Sequence, residues 1–255
     1  MRIAIALVQV PFINGGAEIL AQTLRDELRK RGHEAEIVTI PFNNACSNEA
    51  LKDSIKMGEL IDLTSVNGRD IDIVIAMKFP AYYLKHDHKV VWLMHQHRQA
   101  YDLWGTSYGT LCKTDDGEEL RSLIMEKDRE SFLDARAVFT ISGNTSNRLK
   151  RYNEIDSKVL YPPPAHWDKM HCESYGDYIF YLSRIYSIKR QHTLIRAAKY
   201  LQSDAKVIIA GRGSEIQQTK IFDLIRENHL EDRVRFIGEI TDEEKIEYYA
   251  NCLGV

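Results

Sequence analysis

The chain opens on a pattern that few architectures accommodate. Residues 3–10 read as an apolar strand, 11–16 as a loop carrying Gly15-Gly16, and 17–31 as a helix ended by Gly32. Inside that helix Ile19, Leu20, Leu24 and Leu28 recur at helical spacing while Arg25, Asp26, Arg29 and Lys30 face water. The alternation continues. It predicts a strand over 36–40, a helix over 48–63, strands over 71–77 and 89–95, a helix over 118–135, a strand over 137–141 and a helix over 144–152. Apolar strands alternating with helices mean βαβ units and a parallel sheet buried on both faces, the α/β class.

Pro162-Pro163-Pro164 interrupts this series just after a short strand over 158–161, and such a run continues neither a helix nor a central strand. Residues 161–175 are therefore expected to cross from a first domain, 1–160, to a second, 176–255. The second predicts strands over 178–182, 206–210 and 234–237 and helices over 189–201 and 214–228. Thr241-Asp242-Glu243-Glu244 forms a capping box for a helix through Ala250. Leu253-Gly254-Val255 reads as a strand that stops before it has paired. On that reading the second sheet is incomplete, so the chain is a truncated piece or meets a partner or a second copy at the open edge.

Composition narrows the function classes. With 34 basic and 37 acidic residues the formal charge is −3, which offers nucleic acid no attractive field. Apolar runs such as Val90-Val91-Trp92-Leu93-Met94 are far shorter than the roughly 20 residues a membrane-spanning helix needs. Cys46, Cys112, Cys172 and Cys252 are widely spaced, which fits reduced thiols and a cytoplasmic setting.

The candidate chemistry sits where strands run out, since open α/β sheets bind ligands at strand carboxyl ends. Gly15 and Gly16 let backbone N–H groups approach a ligand at a helix N-terminus, although a tight turn needs the same residues. His95-Gln96-His97-Arg98 follows the strand through Trp92; extended, it puts His95 and His97 on one face, with imidazoles for proton transfer or a hydroxyl and Arg98 for a phosphate or carboxylate. Packed histidines without chemistry are the plain alternative. His86 and His88 lack an acidic or cysteine companion at ligand spacing, so no metal is expected. Arg184 and Lys189 leave the second domain's first strand together and suit a diphosphate, one bidentate and one as a point charge; a solvated basic loop is the alternative. Gly211, Gly213 and Glu215 form another strand-to-helix turn that completes neither the dinucleotide nor the P-loop pattern. Ile237 ends the next strand beside Phe236, a core candidate, where a base could pack. Ser142 and Asn144 are read as caps of the following helix.

Taken in order, these segments resemble the retaining glycosyltransferases of family 4, also called group 1. Gly15-Gly16-Ala17-Glu18 resembles the family's glycine loop, and His95 its histidine after a central strand. Ser142 to Leu149 resembles its S-x-x-t-x-x-x-L stretch, and Tyr161-Pro162-Pro163 its domain crossing. Ser183-Arg184-Ile185 with Lys189 resembles the G-R-L-x-x-x-K phosphate grip, and Gly211-Arg212-Gly213-Ser214-Glu215 the G-x-G-x-E turn. Val234 to Glu239 resembles the v-x-F-x-G segment. Two positions depart from the pattern: Ser183 stands for a glycine and Arg212 where an acid is common.

The resemblance implies a GT-B fold, two Rossmann-like doubly wound domains with the second incomplete. It implies transfer of a sugar, with retention, from a nucleotide-diphosphate sugar to a hydroxyl acceptor that is a saccharide, lipid or small molecule. No cofactor or metal is implied, and lipid acceptors would bring peripheral membrane contact. His95, Arg184 and Lys189 would be catalytic; Gly15, Gly16, His97, Arg98, Gly211, Gly213, Glu215 and Ile237 would bind substrate. The family's E-x7-E element would follow Val255, so the chain as given is expected to lack part of the site and to be inactive alone. A GT-B sugar-nucleotide epimerase and a non-catalytic binding or assembly module are the competing readings.

Overall fold

A computed structural model describes residues 1–43 and 47–255; Cys46, read as a reduced thiol, lies outside the described residues, and Cys112, Cys172 and Cys252 are free. The chain divides into two compact units, Met1–Ala165 and His166–Val255.

In the first unit β1 (Arg2–Gln9) leads through the glycine loop into α1 (Gly16–Lys30), then β2 (Glu34–Pro41) and α2 (Asn48–Leu60). A hairpin of β3 (Ser65–Val66) and β4 (Arg69–Asp70) follows. The period-based reading missed it, because two-residue strands carry no periodicity; its signature is Asn67-Gly68, both at positive φ as a tight primed turn needs. Next come β5 (Ile73–Ala76), β6 (Lys89–Leu93), α3 (Gly117–Asp134), β7 (Ala137–Thr140), α4 (Gly143–Asn153) and β8 (Lys158–Val159). Among the described residues these strands form a parallel sheet of order β2-β1-β5-β6-β7-β8. Side chains alternate across β1. Ile5 and Leu7 pack with Leu20 and Ala21 of α1, whereas Ala4, Ala6 and Val8 join Leu51 and Ile55 of α2 and Leu120 and Ile124 of α3. Cover on both faces explains why β1 is apolar at nearly every position.

The second unit holds β9 (Tyr178–Leu182), α5 (Gln191–Ala198), β10 (Lys206–Ala210), α6 (Glu215–Glu227), β11 (Val234–Gly238) and α7 (Asp242–Ala250). Its parallel sheet has the order β11-β10-β9. Ile195 of α5 and Ile221 and Ile225 of α6 share a core with Val207, Ile209 and Phe236. Phe180 instead meets α7, stacked on Tyr248 with ring centroids 5.0 Å apart and edge-on to Tyr249. The capping box at Thr241 and Glu244 forms as the sequence predicts.

Three expectations need correction. The chain's last residues are paired: Leu253 N–H donates to Tyr178 O at 2.7 Å and Phe180 N–H to Gly254 O at 2.9 Å, so Gly254 lies parallel to β9 and covers that edge locally. The helix predicted from Lys189 begins at Gln191, because Arg190 adopts a left-handed φ of 58° and Lys189 closes a short 3-10 turn. Asn144 lies exposed inside the first turn of α4, and the cap is Ser142 alone, whose hydroxyl accepts from Thr145 N–H. Residues 166–176 also run along the end of α7: Glu173 N–H donates to Ala250 O and Gly176 N–H to Asn251 O.

Candidate functional site

Each unit presents its candidate residues at the carboxyl edge of its own sheet. In the first unit the register fixes that edge. Met77 N–H donates to Ala6 O, Met94 N–H to Met77 O and Ile141 N–H to Leu93 O, so the loops after β1, β5, β6 and β7 leave together.

Gly15 is extended and caps α1, its N–H held by the Glu18 carboxylate at 2.8 Å. That bond occupies a donor the sequence reading offered to a ligand. Gly16 is the first helical residue, and a Cβ there would meet nothing within 4 Å among the described residues.

The segment 95–98 is not part of a strand. β6 stops at Leu93, and the buried residue of the segment is Gln96, 1% exposed, not the histidines either side. His95 and His97 therefore do not share a strand face. The His95 Nδ1–H donates to the carbonyl of Gln96 at 2.7 Å. Burial holds its pKa below the ordinary value, partly offset by that bond, with Lys78, Arg148 and Arg98 pressing the same way as burial. His95 is thus neutral, protonated on Nδ1, with a lone pair on Nε2. His97 packs its ring on Phe79, centroids 4.8 Å apart, and burial pushes its pKa down to about 4. That is a packing role, the plain alternative. Arg98 is not open to an anion either: its Nε and Nη2 bind Asp102 at 3.0 and 2.6 Å, and Arg148 reaches the same carboxylate at 3.3 Å.

Sequence reading missed Lys78, which follows β5 on this edge. Its amine is half-buried with no ion pair among the described residues, and burial lowers its pKa against the opposing pull of Glu18. The readable signal was a single lysine directly after an apolar strand at its carboxyl end. Arg148 was also missed; its Nε is buried without a hydrogen-bond partner among the described residues.

In the second unit two loops lock together. Ser183 N–H donates to Ala210 O at 3.1 Å and Ile185 N–H to Arg212 O at 2.8 Å. Gly211 has φ +143°, and a Cβ on it would stand 1.8 Å from Ser183 O; at Gly213 one would stand 2.7 Å from the Ile185 Cβ. Both glycines are thus required by close approach of the chain to itself. Gln191, 2% exposed and unnoticed in the sequence, donates at 2.8 Å to both the Ser183 hydroxyl and the Arg184 carbonyl. Ser183, where the family pattern has glycine, is an anchor for this turn. The Tyr181 hydroxyl holds the Lys189 carbonyl at 2.5 Å. The turn is fixed while the Arg184 and Lys189 side chains are exposed, with no carboxylate paired to either among the described residues. Glu215 opens α6 behind the Ser214 cap, and Ile237 is half-buried one residue before Gly238, whose carbonyl accepts from Gly211 N–H. Arg212 lies 3.9 Å from Glu239, an exposed contact worth little. The three loops after β9, β10 and β11 therefore converge.

Residues 173–253 match the family glycosyl transferases group 1. No curated protein matches the chain. Solved structures similar to it include HepE from Anabaena in complex with UDP and glucose, at 15% identity and TM-score 0.50 over 96% of this chain and 72% of that one. A glycosyltransferase from Rickettsia africae matches at 14% identity and TM-score 0.54, over 98% and 71% of the two chains. The catalytic domain of starch synthase IV from Arabidopsis thaliana, bound to ADP and acarbose, matches at 9% and 0.56 over 98% and 76%. The likeness fixes the fold as two Rossmann-like units of the GT-B type. Among the described residues no helix is long and apolar enough to cross a membrane.

Proposed function

We propose that the chain is a group 1 glycosyltransferase that takes a nucleotide-diphosphate sugar on the second unit and a hydroxyl acceptor on the first. The observation that carries this reading is the pair Arg184 and Lys189: two exposed cations without carboxylate partners among the described residues, on a turn braced by Gln191, beside glycines that bring the next loop into contact. The family match over this unit and the UDP- and ADP-bound neighbours support it.

On this reading the bond between the anomeric carbon and the diphosphate oxygen breaks as the acceptor oxygen forms its bond, and the acceptor proton passes to the departing diphosphate. Negative charge grows on that diphosphate. Arg184 and Lys189 stabilise it as it forms, so the reading gives this role to no metal ion. Retention of configuration, by attack from the leaving-group face, follows from the family resemblance. His95 Nε2 accepts from a sugar or acceptor hydroxyl.

Calorimetric titration with UDP, GDP and ADP tests the proposal, with Arg184→Ala/Lys189→Ala as the comparison. One nucleotide is expected to bind, weakened roughly a hundredfold or more in the double variant, since each charge-assisted bond contributes about 1.5–3 kcal/mol. Absence of binding by all three, or equal binding by the variant, contradicts it.

A further inference from the structure

Behind the His95 loop lies a buried chain of hydrogen bonds that the transfer reaction itself does not call on. Gln96 Nε2 donates to Asn153 Oδ1 at 3.1 Å, Asn153 Nδ2 to the Tyr101 hydroxyl at 3.0 Å, and the Tyr101 hydroxyl to Asp128 Oδ2 at 2.7 Å. The other Asp128 oxygen accepts from Tyr82 and Tyr83 at 2.9 and 2.7 Å. Every member is buried, from Asp128 at 0% exposed to Tyr83 at 4%. The donors all point one way. At pH 8, above the pKa of about 7 that burial gives Asp128, its ionised carboxylate can only accept, so the Tyr101 proton must face Asp128, its lone pair must face Asn153, and each amide along the path has one permitted orientation. The outer end is Gln96: its side chain is anchored to Asn153, and its main-chain carbonyl, placed by that anchor, accepts from His95 Nδ1–H.

We propose that Asp128 is a positioning residue for His95, acting through Tyr101, Asn153 and Gln96 to hold the imidazole in the Nδ1–H tautomer with its Nε2 lone pair presented at the carboxyl edge. The chain joins the middle of α3 to the end of α4 and the loop after β6. The loop is thereby referenced to the core of the first unit and not to its own short backbone contacts. The use made of His95 rests on the transferase reading, but its tautomer does not.

Nitrogen-15 spectroscopy of the histidine rings in the whole chain at pH 8 tests this, with the His95 signals identified by their loss in His95→Gln. The wild type is expected to show one proton-bearing Nδ1 and one lone-pair Nε2 resonance. Tyr101→Phe cuts the chain in the middle and Gln96→Met at its outer end. Each is expected to draw the two resonances toward their average. Tyr82→Phe removes a donor to Asp128 off the path and is expected to leave them in place, which separates positioning from general loosening of the core. Wild-type resonances in a folded Tyr101→Phe or Gln96→Met variant, or an equal shift in Tyr82→Phe, would overturn the proposal. If Tyr101→Phe does not fold, Gln96→Met decides alone. The spectra need no substrate, so a shifted tautomer in the variants with no binding of UDP, GDP or ADP by the wild type would sink the transferase reading and leave this one standing.

Discussion

Asp128 is a carboxyl group fully buried with three phenol donors, and burial raises its pKa to about 7 against the pull of those donors. Between its unfolded value near 3.9 and about 7 the folded chain keeps a proton that the unfolded chain has released. Folding therefore loses ground as pH rises through that window, by on the order of 4 kcal/mol in total. Asp128→Asn lacks this titration. Thermal unfolding at pH 5 and pH 8 is expected to show the stability gap between wild type and variant narrowing by several degrees toward pH 8; a constant gap contradicts the assignment. Two glycines make an opposite pair. Gly211→Ala collides with Ser183 O and should lower the melting temperature of the second unit and remove nucleotide binding, at a cost of several kcal/mol. Gly16→Ala meets open space in a helix and should leave the melting temperature equal or slightly higher. A loss of acceptor use by that stable variant would locate close backbone approach of a ligand at Gly16. Neither outcome was legible from the letters, since both are Gly in strand-to-helix loops and only the neighbouring chain distinguishes them.

Elements with long periodic faces were readable because their apolar spacing is local. β9 and β10 fall on their predicted bounds, and α1 and α6 shift by only a residue or so at their ends. What tertiary contact decides was not readable. β6 ends at Leu93 instead of continuing through His95, because Gln96 turns inward to Asn153 and the strand cannot alternate past it. His95-Gln96-His97 reads as polar at each position and hides which member is core. In the second unit the grip turn is set by Gln191, a residue with no sequence signature. Gln191→Leu is expected to weaken nucleotide binding about tenfold, through loss of the bonds to the Ser183 hydroxyl and the Arg184 carbonyl, with the fold retained. A folded Gln191→Leu chain with wild-type affinity would show that Arg184 does not depend on the turn.

For the whole molecule, βαβ alternation and the proline run foretold two α/β units, since both follow from chain-local constraints on burial and on backbone hydrogen bonding. The pairing of Gly254 with β9 was not foretold, because a three-residue segment has no pattern of its own and its partner lies far away in sequence. Arg184 and Lys189 were legible as charges but not as ones without a carboxylate partner among the described residues, whereas Arg98, equally basic, proved to be committed to Asp102. Charge alone does not separate these cases; the presence of a carboxylate one helical turn away does. On the proposed function, the loops after β9, β10 and β11 form a nucleoside-diphosphate site. Amide hydrogen exchange of the chain with and without a saturating concentration of UDP, GDP or ADP tests it most directly. Added protection is expected within residues 183–191, 211–215 and 237–239 for the nucleotide that binds; protection confined to other segments, or none with any of the three, would contradict the account.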